Sequence, residues 1–135
     1  MRARTPLLSQ RRINRITKII SIAGESPMYT LCIRYTLDPN KTAHFKAYVD
    51  AELAAIRRSG GKVVGYFLPT DFAGPTNLAY GLIDFSSLAS YERYRHELAE
   101  AVDHRTNVAE LERRGAVIAT YRSIMKRVSE EPASA

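Results

Sequence analysis

The apolar period of this chain changes at Asp38-Pro39, and few folds accommodate what lies on either side of that change. Before it, Tyr29, Leu31, Ile33, Tyr35 and Leu37 alternate along one face of a strand spanning 28–37, with Thr30, Cys32, Arg34 and Thr36 on the other. After it, Phe45, Tyr48, Val49, Leu53 and Ile56 recur at three- and four-residue steps, the stripe of an amphipathic helix. Asp38 has the chemistry of an N-cap, and Pro39 fits the first helical position, where its missing N–H costs nothing. The helix runs to about Arg58 and closes on Ser59-Gly60-Gly61.

Two further strands follow, 62–68 and 77–85. The stretch 69–76 between them is longer than a tight hairpin, long enough to bend over a pocket. Ser86 or Ser87 caps a second helix, with Leu88, Tyr91, Tyr94 or Arg95, and Leu98 facing inward. A less regular helical stretch from 99 to about 114 ends at Gly115, and a last strand spans 116–128. The tail 129–135 is small, polar and acidic, and is expected to fray. The element order is β-α-β-β-α-β. Right-handed crossovers then give a four-stranded antiparallel sheet with its helices on one face, an α+β ferredoxin-like arrangement.

The other face of that sheet is too apolar to stand in water. Leu78, Tyr80 and Leu82 oppose Ala79, Ile83 and Phe85 on the third strand, and Val63 and Phe67 oppose Val64, Tyr66 and Leu68 on the second. Both faces need cover. A homodimer stacking sheet on sheet supplies it, and an N-terminal extension lying over the face is the alternative.

Charge sets that extension apart. Residues 1–27 hold Arg2, Arg4, Arg11, Arg12, Arg15 and Lys18 against Glu25, a net of +5 out of the chain's +6. The segment reads as an over-long gene start preceding Met28, as an organelle presequence, or as a basic arm that folds on a partner. The domain proper is 28–128. Its near-neutral balance argues against nucleic-acid binding, which needs basic groups clustered on a structured face. A single cysteine, Cys32, excludes an intrachain disulfide and a cysteine-built metal cage; it reads as a small buried hydrophobe in a reducing, cytoplasmic setting. No apolar run reaches the roughly 20 residues that cross a bilayer, so no membrane role is expected.

Several short motifs in order resemble a known family. Arg34-Tyr35-Thr36-Leu37-Asp38-Pro39-Asn40-Lys41, with Phe45, is similar to the opening strand and helix of the NIPSNAP family. Gly60-Gly61-Lys62-Val63-Val64-Gly65-Tyr66-Phe67 is similar to its second strand. Pro75-Thr76-Asn77-Leu78-Ala79-Tyr80, Ser87-Leu88-Ala89 and Tyr91-Glu92-Arg93-Tyr94-Arg95 resemble a bacterial subgroup. The likeness covers about 28–128. It departs in the first strand, where many members carry Glu-Leu-Arg-x-Tyr and this chain has Leu31-Cys32-Ile33-Arg34-Tyr35. The resemblance implies a dimeric α+β barrel. Such barrels also host cofactor-free monooxygenases, haem-degrading enzymes and pure binding modules, so the fold alone names no activity.

The candidate site is read from tyrosines and a few charges. The chain has eight tyrosines and no tryptophan. Tyr35, Tyr66 and Tyr80 lie on three strands and are expected either to line a pocket for a flat, apolar or aromatic ligand or to fill an amphipathic core. Arg34, mid-strand, either pairs with Asp84 or anchors an anion. His44 reads as a surface residue and as the one base near the start of its helix. Glu92, His96, Glu100 and His104 follow at four-residue steps; a solvated stripe is favoured over a metal site, since no third element brings a ligand. Gly60-Gly61-Lys62 lacks the spacing of a phosphate loop. No cofactor or metal is assigned. The leading expectation is a homodimeric small-molecule-binding or interaction module. The alternative is a cofactor-independent enzyme, monooxygenase- or isomerase-like, acting on an aromatic or quinone-like metabolite, with a haem or metal binder behind it.

Overall fold

The first strand read from the sequence is the centre of the sheet. The computed structural model describes residues 28–129, of which Met28–Lys126 form one compact unit. The three readings of residues 1–27 and the fraying expected of 130–135 lie outside the described residues. β1 (Tyr29–Leu37) pairs antiparallel with β3 (Leu78–Phe85) on one side and β4 (Val117–Lys126) on the other. β2 (Lys62–Phe67) pairs with β3, so the order is β2-β3-β1-β4, the α+β ferredoxin-like sheet.

Three helices connect the strands: α1 (Thr42–Arg58), α2 (Leu88–Glu100) and α3 (Val102–Arg114). The first begins later than the Asp38-Pro39 signal suggested. Lys41 N–H donates to the Asp38 carbonyl at 2.9 Å, closing a tight 3-10 turn, Pro39–Lys41, ahead of α1. Asp38 still caps that turn, accepting from the Asn40 N–H at 3.0 Å. The stretch expected to be irregular from Ala99 on is the end of α2 and then one regular helix, α3, with a break between them at Ala101, whose ψ of 125° leaves the helical range. Gly115 ends α3 at φ 65°, a left-handed conformation that favours glycine.

Leu31, Ile33, Tyr35 and Leu37 of β1 and Ala79, Ile83 and Phe85 of β3 face the helices, where Phe45, Val49 and Ile56 of α1 and Tyr94 of α2 meet them. Phe45 is fully buried, which is worth roughly 1.5–3 kcal/mol. On the opposite face Phe67, Tyr80, Tyr121 and Met125 are each about half exposed. Cys32 belongs to that face and is half-buried rather than buried as expected, because its neighbours there do not close over it.

The alternation read for β2 does not survive a bulge. Val63 pairs with Ile83 and Gly65 with Leu82, which leaves Val64 as the extra residue. The phase shifts by one, so Tyr66 joins Val63 on the helix side and Phe67 turns to the open side. The stretch 69–76 lies mostly exposed, with Phe72 95% exposed, and does not bend over the cleft described below. Among the described residues no helix is long and apolar enough to cross a membrane.

Candidate functional site

A carboxylate occupies a core position of α1. Phe45, Val49, Glu52 and Ile56 fall four, three and four residues apart, on one buried stripe. Glu52 is 2% exposed, and a buried charge of this kind needs partners. It has three. His104 of α3 contacts Oε2 through Nδ1, Asn107 donates from Nδ2 to Oε1 at 3.1 Å, and the Tyr48 hydroxyl donates to Oε2 at 3.4 Å. The break at Ala101 allows this. It detaches His104 from the Glu92, His96, Glu100 stripe and turns α3 so that His104 and Asn107, three residues apart, face α1.

Beside this cluster, a cleft of about 570 Å³ opens between the sheet and the helices. Tyr35 and Tyr66 form its sheet side, with their hydroxyls 3.5 Å apart. Tyr48, Glu52 and His104 close one wall, Tyr91, Tyr94 and Arg95 of α2 another, and Arg122 of β4 stands at the edge. Gly81 makes the position of Tyr66 available: a Cβ there would lie 2.6 Å from the Tyr66 ring. Tyr35 is fixed from behind by Phe45, with ring centroids 4.7 Å apart.

The cleft holds its phenols in the neutral form. Burial pushes the Tyr35, Tyr48, Tyr66 and Tyr94 hydroxyls above the ordinary tyrosine range. The neighbouring Glu52 charge adds to this at Tyr48 and Tyr94, while Arg122 pulls the other way at Tyr35 and Tyr94. These tyrosines therefore serve as hydrogen-bond donors and acceptors and not as bases. The Glu52–His104 pair is a different arrangement. A carboxylate that accepts from Nδ1–H fixes the ring and leaves Nε2 as the basic nitrogen. Two donors make no metal centre, and among the described residues no group of three or more His, Cys, Asp or Glu is arranged to hold one.

Of the residues singled out from sequence, Tyr35 and Tyr66 are brought together here. Tyr80 is not, because it stands on the open face opposite Phe67 in the register. Arg34 also lies on the open face, with its guanidinium 4.6 Å from the Tyr121 ring centroid. It pairs in register with Tyr80, whereas Asp84 stands opposite Thr30 and accepts from its hydroxyl at 2.6 Å. His44 is half-buried and outside the cleft, with Nδ1 3.1 Å from Nη1 of Arg114 at the end of α3. Sequence reading missed Glu52, Asn107 and Arg122, and met His104 as the last member of the Glu92, His96, Glu100 stripe, which a helix break near Asp103 would scatter. For Glu52 a signal existed, namely a charge at a stripe position.

The same fold recurs in solved structures. A NIPSNAP family protein with unknown function from Agrobacterium tumefaciens C58 matches with a TM-score of 0.68 at 22% identity, over 81% of this chain and 96% of its own. An uncharacterised NIPSNAP-like domain protein from Burkholderia xenovorans matches at 0.66 and 25% identity, over 78% and 89%. A protein from Caulobacter crescentus CB15, assigned provisionally as an antibiotic biosynthesis monooxygenase, matches at 0.57 and 12% identity, over 77% and 92%. No curated protein matches the sequence. A NIPSNAP family model matches residues 29–130, most of the chain and all of its sheet and helices, and the chain therefore belongs to the NIPSNAP family.

Proposed function

We propose that this chain is a homodimeric small-molecule-binding protein whose ligand, flat and apolar in its body, lies in the cleft between sheet and helices. The observation that carries this reading is the tyrosine-walled space of about 570 Å³, inside the roughly 300–1,000 Å³ typical of ligand sites. A pure interaction module would have had that space filled. Pairing of two chains rests on the open face, where Phe67, Tyr80, Tyr121 and Met125 are half exposed and a second sheet would cover them. A cytoplasmic setting accords with the single free thiol.

A second reading is favoured by one specific observation. The Glu52–His104 pair at the cleft wall is the arrangement that proton transfer requires, so a cofactor-independent enzyme of the isomerase type, acting on an aromatic or quinone-like metabolite, fits the same site. The Caulobacter neighbour supports the fold alone and does not favour monooxygenation.

Native mass spectrometry of the full chain as purified tests the binding reading, together with titration of the neutral apolar dye Nile red. The expected result is a dimer that carries extra mass or takes up dye. Ala99→Trp, which fills the cleft from α2, abolishes that uptake. A bare monomer that takes up no dye overturns the reading.

A further inference from the structure

The cleft holds more positive than negative charge. Glu52 is the one carboxylate that lines it, and His104, Asn107 and Tyr48 already take its oxygens. Two guanidiniums line it as well, Arg95 and Arg122. Among the described residues neither has a carboxylate partner, although Arg58, Arg113 and Arg114 all do. Arg122 is placed for a role there. It stands opposite Ile33 in the β1–β4 register, and Ile33 is a helix-side core residue. Its side chain is exposed on the edge strand and lines the cleft, open both to solvent and to a ligand. Arg95 lies with its guanidinium 6.0 Å from the centroid of the Tyr91 ring, and both residues line the same cleft. The Arg122 charge reaches the hydroxyls of Tyr35 and Tyr94, where it opposes the effect of burial.

Building on the binding reading, we propose that the ligand is an aromatic or similarly flat monocarboxylic acid, its carboxylate held by Arg122 with Arg95 and its ring laid among Tyr35, Tyr66 and Tyr94. The charge inventory sets the class. With the phenols neutral, the two guanidiniums outnumber the Glu52 carboxylate by one charge; one anionic group balances that excess, and the planar guanidinium fork matches a carboxylate. A neutral ligand of the same shape leaves the excess uncompensated, and a dianion over-fills the site. The apolar walls exclude a small hydrophilic anion, which has nothing to place against the rings.

Ligand-observed NMR and isothermal titration on the full chain test this with trans-cinnamate and its neutral isostere cinnamamide as probes. Cinnamate is expected to bind about tenfold to a hundredfold more tightly than the amide, the range for a hydrogen-bonded charge. Arg122→Gln removes most of that preference and Arg122→Lys keeps part of it, with unchanged circular dichroism and a melting temperature close to that of the parent chain. Arg95→Gln, on an exposed helix position, gives a smaller loss and provides the second variant should Arg122→Gln fold poorly. Equal binding of acid and amide overturns the anion inference and leaves the cleft as a ligand site. Uptake of Nile red without binding of either probe also overturns it. No uptake of dye, acid or amide overturns the binding reading beneath it.

Discussion

Glu52 and His104 meet side chain to side chain between α1 and α3, although 52 residues separate them in sequence. The contact ties together the two helices that close one wall of the cleft and makes a polar group part of the core. Its two members are not interchangeable. His104 is 23% exposed in its side chain and retains access to water, whereas Glu52 at 2% does not.

A double-mutant cycle measures this link. His104→Ala leaves a buried carboxylate short of one partner and should cost about 3 kcal/mol by urea denaturation. Glu52→Gln keeps the shape and removes the charge, and should cost about 1–2 kcal/mol. The double mutant should be less destabilised than the sum, with a coupling of about 1–3 kcal/mol. Strict additivity would mean that the pair is a surface contact of no energetic weight.

Gly81 makes a separate, steric prediction. Its missing side chain is the space that the Tyr66 ring occupies, with Cε2 and Cζ 2.6 and 2.7 Å from where a Cβ would be. Gly81→Ala should force Tyr66 off its position, break the 3.5 Å approach to the Tyr35 hydroxyl and cost about 1–3 kcal/mol. Adding Tyr66→Leu should recover part of that loss, because the smaller side chain relieves the clash. Thermal melts of the single and double variants decide it.

The sheet was legible in the sequence and the site only half so, for a physical reason. Elements follow from local periods, and those periods survive folding in β1 and β3, each of which buries one face. Tyr66 and Tyr80 show the limit. Counting by twos puts Tyr66 with Val64, and a single bulged residue reverses that; the local hint is Gly65 inside the strand, which the count by twos passes over. Tyr80 was grouped with Tyr35 and Tyr66 by residue type, although Ala79, Ile83 and Phe85 already marked the other side of β3 as the core side. Glu52 was legible in principle, since Phe45, Val49 and Ile56 frame it, but its partners come from a helix whose orientation depends on the break at Ala101. Such pairings are properties of packing and not of any window of sequence.

The open face predicts self-association. Light scattering of the full chain at micromolar concentration should give the mass of two chains. Tyr80→Asp places a charge among Phe67 and the half-exposed side chains around it and should shift the mass toward one chain. Asp50→Lys on exposed α1 should leave it unchanged. A monomer for the parent chain at that concentration would remove the homodimer from the reading.

The buried phenols predict a steep alkaline limit. Tyr35, Tyr48, Tyr66 and Tyr94 all lose protons above the ordinary value of 10.0 in the folded chain, chiefly because burial disfavours the phenolate. In the unfolded chain each ionises near 10.0. Between the two values the unfolded state binds fewer protons than the folded state, so stability falls as pH rises. Below the unfolded value the contribution is fully present. Each phenol should then remove up to about 1.4 kcal/mol per pH unit above 10. Absorbance of the phenolate band and circular dichroism, followed together from pH 8 to 13, should show these four tyrosines ionising only as the fold is lost, in one joint transition. Early ionisation of all eight tyrosines with the circular dichroism unchanged would mean that hydroxide reaches the phenols in the folded chain and that burial does not hold them neutral.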